Sequence, residues 1–295
     1  MISAIEVYSP KTLPEAYRHL QELNGRAKLL AGGTDLMVQL HDRVGVAPAY
    51  LNIWGLNELR GIEDRGDHLR IGALTTYTQI IKSPLVKQYC RILIDASKTV
   101  GGVQIQNRGT IGGNIVNASP AGDTLPILSA FEAQLELGNS RGGRVVAFIE
   151  FYTGYRQTIL APDELVVAVR LPKSQPNEQL FFQKVGSRQA LVISKVVMAI
   201  KAQIDTEKKI HSIQIGVGSV APTVMRLQQT EAMLQAQILT DELIASARQT
   251  AMQEVKPITD VRSTEHYRRA ITGRVLEKFL RQNLEEKAKI TSLTI

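Results

Sequence analysis

Cysteine is almost absent from this 295-residue chain, which contains only Cys90. One cysteine cannot form an internal disulfide, hold a zinc ion through several thiolates or supply the ligands of an iron–sulfur cluster. Any redox chemistry on this chain therefore has to use an organic cofactor. Cys90 lies at helical spacing with Val86 and Leu93, which predicts a half-buried small hydrophobic residue and not a reactive thiol.

Histidine is also scarce, and its five copies are spread along the chain without a His-x-x-x-His or carboxylate-flanked spacing. This distribution predicts no metal site. A nucleophile elbow is missing as well, so nothing in the sequence indicates a nucleophilic triad. We accordingly predict no catalytic side chain of these classes.

Long hydrophobic runs are missing, and the most apolar segment, residues 190–200, is interrupted by Ser194 and Lys195. A membrane-spanning helix needs roughly 18 apolar residues, so we expect no membrane segment. Glu6 stands where a signal peptide would be apolar, which leads us to expect a cytoplasmic protein.

Aromatic residues make up only 5% of the chain, and its 35 basic residues exceed its 28 acidic ones by a thinly spread net charge of +7. Nucleic-acid binding would need a concentrated basic stripe with aromatic platforms, so we expect no nucleic-acid partner. In the basic segment 262–289, glutamates alternate with the cations, which predicts a solvated helix face. Basic groups elsewhere could meet an anionic cofactor or an acidic partner chain.

The apolar content of 44% is ample for a buried core, and 295 residues suit one large domain or two ordinary ones. Residues 12–15 read Thr-Leu-Pro-Glu, which predicts a capping box at the start of a helix of about ten residues. Sequence patterns predict strands at 27–31 and 50–53, a hairpin at 60–63 and 68–71, a helical stretch at 77–100, a helix at 125–130, and strands at 133–137, 144–148 and 164–171. We expect these strands to complete a mixed sheet.

The polar, proline-bearing segment 172–178 is the best candidate for a linker, so we place a domain boundary there. Beyond it, the patterns predict strands at 180–185, 191–204 and 209–220, followed by helices at 225–235, 240–253 and 265–284, with Thr240 as the N-cap of the second helix. The second domain is therefore expected to be a small antiparallel sheet with three helices.

A Gly-Gly-Thr-Asp turn at 32–35 follows the first predicted strand, and a helix is predicted from Leu36 onward. A phosphate needs several converging backbone N–H donors, and a glycine turn can supply them because no Cβ blocks the approach. A plain tight turn is the alternative, because the standard dinucleotide and Walker glycine motifs are both absent.

The second glycine segment, Gly-Thr-Ile-Gly-Gly-Asn at 109–114, belongs to a run from 101 to 123 that contains six glycines. Its threonine and asparagine can add side-chain hydrogen bonds to the backbone donors, so the two segments together suit a diphosphate held from both sides. Asp123 precedes the predicted helix at 125–130, where its carboxylate could bind ribose hydroxyls or cap that helix.

Longer matches surround these segments: Leu-Ala-Gly-Gly-Thr-Asp-Leu at 30–36, Thr-Ile-Gly-Gly-Asn at 110–114 with Asp123, and Gly-Tyr-Arg at 154–156 before Glu-Leu at 164–165. They resemble the flavoprotein (medium) subunit of the molybdenum hydroxylases, a family that includes xanthine dehydrogenase, aerobic carbon monoxide dehydrogenase and nicotinate dehydrogenase. The stretches Lys-Val-Gly-Ser-Arg at 184–188 and Gly-Ser-Val-Ala-Pro-Thr at 218–223 are similar to the C-terminal domain of that family, so the resemblance covers nearly the whole chain.

This resemblance implies an α+β protein with two domains. Residues 1–174 would form the two-part FAD-binding domain of the vanillyl-alcohol oxidase (PCMH) type, with subdomains at about 1–56 and 57–174. Residues 175–295 would form the C-terminal α+β domain. FAD is expected in an extended pose with its diphosphate at the two glycine segments. Covalent attachment generally needs a histidine or cysteine there, and Thr34 occupies the first segment, so FAD should be non-covalent.

The resemblance also implies two partner chains. A molybdopterin-binding large subunit would hydroxylate the substrate, and a small subunit would carry two [2Fe–2S] clusters. FAD on the present chain would receive the electrons and pass them to NAD⁺, oxygen or another acceptor. The substrate pocket would lie on another chain, and the choice of acceptor would depend on access above the flavin from loops such as 186–190.

The cofactor-binding residues implied by the resemblance lie in the two glycine segments and at five isolated positions. Asp123 is expected on the adenosine side, with Arg156, Leu165 and Lys184 along the flavin or its phosphates. The full set is Leu30, Ala31, Gly32, Gly33, Thr34, Asp35, Leu36, Gly101, Thr110, Ile111, Gly112, Gly113, Asn114, Asp123, Arg156, Leu165 and Lys184.

Three of these positions can be weighed on physical grounds. Asp35 would repel a diphosphate, so we expect its carboxylate to turn toward helix N–H groups. Lys184 would stabilise an anionic reduced flavin, with a surface salt bridge as the alternative. Leu165 can pack on the flavin ring or be an ordinary strand residue.

Two other functions remain open from the sequence. The chain could be a free-standing flavin oxidase with its substrate in the second domain, which turnover by a monomer would favour. It could also be a flavin-free assembly subunit whose glycine segments are structural turns, which a colourless purified protein would favour.

Overall fold

The computed structural model describes residues 6–42, 44, 46–188 and 191–285. Residues 189 and 190 of the loop expected to limit access to the flavin, and residues 286–289 of the basic segment, lie outside this description. The chain divides into two compact units. The first unit contains Met1–Tyr89, Leu93–Ser119 and Glu132–Lys173, and the second unit contains Cys90–Ile92, Pro120–Phe131 and Ser174–Ile295.

The first unit opens with a three-stranded parallel sheet whose strand order is β1-β3-β2. Thr12 is the N-cap of the helix between the first two strands, and its side chain accepts a hydrogen bond from the Glu15 N–H, so the predicted helix start is confirmed. The elements are β1 (Glu6–Tyr8), α1 (Leu13–Leu23), β2 (Ala27–Leu30), α2 (Leu36–His41) and β3 (Ala49–Asn52).

A second sheet in the first unit has five strands in the order β4-β5-β10-β6-β7. All of its pairings are antiparallel, so the expected mixed sheet was wrong: the parallel and antiparallel strands form separate sheets. A short hairpin of β8 and β9 stands apart. The strands are β4 (Ile62–Asp64), β5 (His68–Gly72), β6 (Gln134–Asn139), β7 (Gly142–Ala147), β8 (Tyr152–Gly154), β9 (Gln157–Thr158) and β10 (Leu165–Pro172).

Six short helices lie between β5 and β6. The predicted helical stretch at 77–100 is confirmed but broken, because Pro84 disfavours helical geometry at Ser83, where the first helix ends. Cys90 is fully buried and not half-buried as expected. The helices are α3 (Tyr77–Lys82), α4 (Pro84–Tyr89), α5 (Arg91–Lys98), α6 (Val103–Arg108), α7 (Ile111–Asn117) and α8 (Leu125–Ala130).

The second unit contains an antiparallel sheet of order β11-β12-β13-β14, and helices pack on it around a core that includes Ile200, Ile215, Leu276 and Phe279. The predicted small antiparallel sheet and the Thr240 cap are confirmed. The helix predicted from 225 begins later, because 225–226 pair with β13. The elements are β11 (Gln179–Val185), β12 (Val196–Ile204), β13 (Ile210–Gly218), β14 (Met225–Arg226), α9 (Gln228–Leu234), α10 (Asp241–Glu254) and α11 (Glu265–Glu285).

Within the residues that the structure describes, no helix combines the length and the apolar character needed to cross a membrane.

Candidate functional site

The turn between β2 and α2 presents a row of free backbone donors. Among the described residues, none accepts a hydrogen bond from the backbone N–H of any residue from 32 to 36. Gly33 adopts a φ of 80°, a conformation that strongly favours glycine, and its carbonyl accepts from the Met37 N–H at 2.9 Å. Successive unpaired N–H groups in such a turn form an anion-binding concavity, which meets the physical requirement for holding a phosphate.

The second glycine segment has a different local structure. Thr110 is the N-cap of α7, so Gly112, Gly113 and Asn114 lie within the helix and not in a loop. Five of its six N–H groups already have acceptors: Gly109 N–H donates to Ile105 O (2.6 Å), Ile111 to Thr75 O (3.1 Å), Gly112 to Ala73 O (2.9 Å), Gly113 to Thr110 Oγ1 (3.1 Å) and Asn114 to Thr110 O (3.0 Å). Backbone donors were expected on both sides of the diphosphate, and this segment does not offer them because its helix cap and the 73–75 backbone use them.

The glycines of the two segments serve two different purposes. A Cβ at Gly32 would lie 1.7 Å from the Arg108 carbonyl oxygen, and one at Gly112 would lie 2.6 Å from the Ala73 Cβ. These two positions therefore need glycine for close packing. Gly113 is exposed, and a Cβ there would meet only Thr110 Oγ1, at 2.9 Å. Because Gly113 is exposed and carries no side chain, a ligand can approach its backbone from the solvent side.

The fold brings the two segments together. Arg108, one residue before the second segment, donates from Nε to the Gly32 carbonyl at 3.3 Å. Asn117, at the end of α7, donates from Nδ2 to Asp35 Oδ1 at 3.4 Å. The two segments therefore line one site although more than 70 residues separate them.

Asp35 does not behave as expected. Its carboxylate makes no side-chain cap with α2 and accepts instead from the side-chain amides of Gln39, at 2.5 Å, and Asn117. The expectation that it turns toward helix N–H groups was wrong, because the two amides offer donors outside the turn. The N–H groups of the turn consequently stay available.

Three other predicted positions belong to the first unit. Gly101 is exposed just before α6, and Arg156 is exposed in the β8–β9 turn, where its guanidinium lies 5.9 Å from the Tyr155 ring centre. Leu165 begins β10 with 1% of its surface exposed and packs in a hydrophobic core with Leu51 and Leu74. That burial favours the ordinary strand residue over a residue packed on a flavin ring.

Asp123 and Lys184 meet in the second unit. Lys184 Nζ donates to Asp123 Oδ2 at 2.6 Å, and each side chain is 9% exposed. The N-cap position of α8 belongs to Thr124, so Asp123 is not the cap of that helix. The surface salt bridge considered for Lys184 is a buried one, whose disruption leaves an uncompensated charge.

Sequence reasoning missed Arg108 and Trp54. Two guanidinium groups lie over the Trp54 ring, with the central carbons of Arg108 and Arg60 at 3.9 and 4.4 Å from the ring centre. The only signal in the sequence was a basic residue directly before Gly109, because the stacking joins residues 54 positions apart.

Comparison with known proteins places relatives along both units. The family model described as "FAD binding domain in molybdopterin dehydrogenase" matches residues 3–174, and "CO dehydrogenase flavoprotein C-terminal domain" matches residues 181–283. The putative xanthine dehydrogenase FAD-binding subunit of Escherichia coli (strain K12) is 34% identical over 87% of this chain and 88% of its own. The carbon monoxide dehydrogenase medium chain of Hydrogenophaga pseudoflava is 30% identical over 93% of this chain and 95% of its own.

A solved structure gives the same picture at the level of the fold. A chain of the carbon monoxide dehydrogenase from Hydrogenophaga pseudoflava that lacks the Mo-pyranopterin moiety of its cofactor aligns with a TM-score of 0.89 and 30% identity. The alignment covers 94% of this chain and 96% of that one.

Proposed function

Because this chain belongs to the family of FAD-binding flavoprotein subunits of the molybdopterin dehydrogenases, we propose that it transfers electrons through FAD within a heteromeric molybdenum hydroxylase. The family, the α+β fold, the oxidoreductase class and the FAD cofactor predicted from the sequence are confirmed by these matches. The route of the electrons, the partner chains and the residues that hold FAD form the proposal.

The observation that carries the proposal is the row of N–H groups from Gly32 to Leu36. A diphosphate brings about two negative charges and many acceptor oxygens, and a row of unpaired N–H groups satisfies them without a change of backbone. Exposed Gly113 supplies the space beside this row. These features suit a diphosphate held by the first segment and bordered by the second.

In this proposal the residues of the two glycine segments bind and position the cofactor. The turn at 32–36 binds and orients the diphosphate, and Thr110 holds the second segment in its helical form. FAD, when bound, supplies the ability to accept electrons singly from clusters and to pass them on singly or in pairs. The roles that the resemblance gives to Gly101, Asp123, Arg156, Leu165 and Lys184 stay predictions.

The proposal assigns molybdopterin to a large partner chain and two [2Fe–2S] clusters to a small one. A cluster of this kind needs four protein ligands, usually thiolates, and the present chain has one cysteine. The relative from Hydrogenophaga pseudoflava is itself named a medium chain, which supports an assembly with a larger and a smaller partner. FAD would pass the electrons to NAD⁺, oxygen or another acceptor.

The experiment that tests the proposal compares the isolated chain with the chain co-expressed with its genomic neighbours. Alone, it should release FAD on heating, without a covalent residue, and fail to oxidise a purine, an N-heterocycle or an aldehyde. With its partners it should co-purify as a complex containing molybdenum and iron that turns over one such substrate. Turnover by the metal-free single chain would favour the free-standing oxidase, and a colourless chain that binds no FAD would favour the assembly subunit.

We also propose the domain division 1–174 and 175–295, with subdomains at about 1–56 and 57–174, and a cytoplasmic location. The last segment of the first unit ends at Lys173, which supports a boundary there, although residues 120–131 belong to the second unit. Limited proteolysis should cut first near 174–178. Cell fractionation should recover the complex from the cytoplasm.

A further inference from the structure

Arg108 and Trp54 are in contact beside the first glycine turn. The central carbon of the Arg108 guanidinium lies over the Trp54 ring, 3.9 Å from the ring centre. Arg60 approaches the same ring at 4.4 Å and donates to the carbonyls of Leu74 (3.2 Å) and Trp54 (2.6 Å). The Arg60 guanidinium therefore already has hydrogen-bond acceptors within the protein, whereas Arg108 is the exposed member of the pair.

Both the backbone and the side chain of Arg108 contact the first glycine turn. Its carbonyl oxygen packs on the Cα of Gly32, and its Nε donates to the Gly32 carbonyl. Among the residues that the structure describes, none is a hydrogen-bond or ion-pair partner of the two terminal nitrogens of Arg108. A charged, planar donor is therefore held next to the free N–H row with its outer edge available.

The charges around the turn show why a cation is needed there. A diphosphate carries about two negative charges, and Asp35 adds a third within the same turn. The second segment contributes few backbone donors, because five of its six N–H groups are already used. Guanidinium binds phosphate oxygens through paired N–H groups, and stacking on an aromatic ring fixes its plane beforehand.

We propose that Arg108 binds the diphosphate of FAD and that Trp54 is the positioning residue that holds its guanidinium beside the turn. This inference rests on the proposed function, since it names a further residue of the same cofactor site. Its rival is a purely structural role, in which Arg108 fastens α6 to the first turn and never contacts the ligand.

The test uses the full-length chain stripped of flavin and titrated with FAD. Trp54 is the only tryptophan, so its fluorescence reports this contact alone, and equilibrium dialysis measures the same binding independently. Arg108→Met keeps an aliphatic stem over the ring and removes the charge, while Arg108→Lys keeps the charge. Arg65→Met removes one exposed charge from the β4–β5 hairpin of the same unit and serves as the matched control.

At low salt, Arg108→Met should bind FAD about tenfold more weakly than the wild type, because a charge-assisted hydrogen bond is lost. The difference should shrink at about 0.5 M salt, where screening weakens the phosphate contact. Arg108→Lys should recover part of the affinity, and Arg65→Met should bind like the wild type. Trp54→Leu should weaken FAD binding, measured by dialysis, less than Arg108→Met does.

Equal FAD affinity in the wild type and Arg108→Met would overturn the inference while leaving the proposed function intact. A loss that is independent of salt, is not recovered by lysine and accompanies a lower melting temperature of the flavin-free chain would assign Arg108 to the structural role. A wild-type chain that binds no FAD under any condition would overturn the proposed function itself, and this inference with it.

Discussion

Lys184 and Asp123 form a buried ion pair, with 2.6 Å between Nζ and Oδ2. The two residues are 61 positions apart, and Asp123 belongs to the short segment Pro120–Phe131 that joins the second unit. The same segment is fastened by other contacts within that unit, since Ser219 N–H donates to the Pro120 carbonyl at 2.7 Å and a Cβ at Gly216 would lie 2.0 Å from the Pro126 carbonyl oxygen. The ion pair thus ties strand β11 to the segment Pro120–Phe131, and the stretch Glu132–Lys173 of the first unit lies between them in the chain.

Breaking this pair from one side should destabilise the second unit. Lys184→Met leaves the Asp123 carboxylate buried without its cation, and we expect a loss of about 3 kcal/mol in the free energy of unfolding. The double variant Lys184→Met, Asp123→Leu should recover most of that loss, because no charge remains buried. Chemical denaturation measures both, and a double variant no more stable than Lys184→Met would contradict the coupling.

Two single variants of this pair, Lys184→Met and Asp123→Asn, test whether it lies near the flavin. If it does, Lys184→Met should make FAD harder to reduce, because the remaining carboxylate disfavours an anionic reduced flavin. Asp123→Asn should shift the midpoint potential in the opposite direction, since it removes a negative charge and keeps the positive charge of Lys184. A spectroelectrochemical titration that finds the potential unchanged in both variants would leave the pair with a structural role only.

Gly113→Ala should affect FAD binding without affecting the stability of the flavin-free protein. In the helix, alanine is favoured over glycine by about 1 kcal/mol, which offsets the contact of its Cβ with Thr110 Oγ1 at 2.9 Å. The flavin-free melting temperature should therefore change little, whereas FAD affinity should fall by about tenfold or more because the methyl group occupies ligand space. Gly55→Ala, where a Cβ would meet nothing within 4 Å, is the control and should bind FAD normally.

Gly32→Ala should behave in the opposite way. Its Cβ would overlap the Arg108 carbonyl oxygen, and because that obstacle is backbone, the two segments must move apart. We expect a stability loss of about 2–3 kcal/mol, visible as a lower melting temperature even without FAD. A flavin-free protein as stable as the wild type would show that the contact between the segments is looser than the structure indicates.

Stability at acidic pH should depend on Glu164. The Arg144 guanidinium, which donates to both carboxylate oxygens at 2.8 Å, holds the pKa of Glu164 below its ordinary value of 4.5, although burial acts in the opposite direction. A lowered folded-state pKa means that the pair stabilises the protein above pH 4.5 and that this contribution is lost as pH falls below it.

Glu164→Gln should accordingly cost about 1 kcal/mol at neutral pH, a small value because Arg144 is nearly half exposed, and progressively less as the pH falls below 4.5. Denaturation curves of both proteins at several pH values measure the difference. A gap that stays constant from pH 7 to pH 3 would assign the effect to packing and not to the charge of the carboxylate.

Local structure was largely predictable from the sequence because its signals act within one turn or strand. Thr12 and Thr240 cap the helices whose starts the sequence predicted, and the three successive strand patterns at 180–185, 191–204 and 209–220 predicted an antiparallel sheet. The glycine segments and their neighbours also predicted the family, because a motif of consecutive residues can be recognised in the sequence without knowledge of the fold. Free N–H donors at the turn from Gly32 follow from the same local reasoning.

Tertiary structure decided everything that joins distant residues. Only the fold shows that Gly32 and Gly112 are required by packing against Arg108 and Ala73, whereas Gly113 is exposed. Only the fold pairs Lys184 with Asp123 and stacks Arg108 on Trp54, because contacts across 50 to 60 residues leave no periodicity in a single sequence. Sequence determined which short segments could hold a diphosphate, and the three-dimensional arrangement decided which of their groups are free to do so.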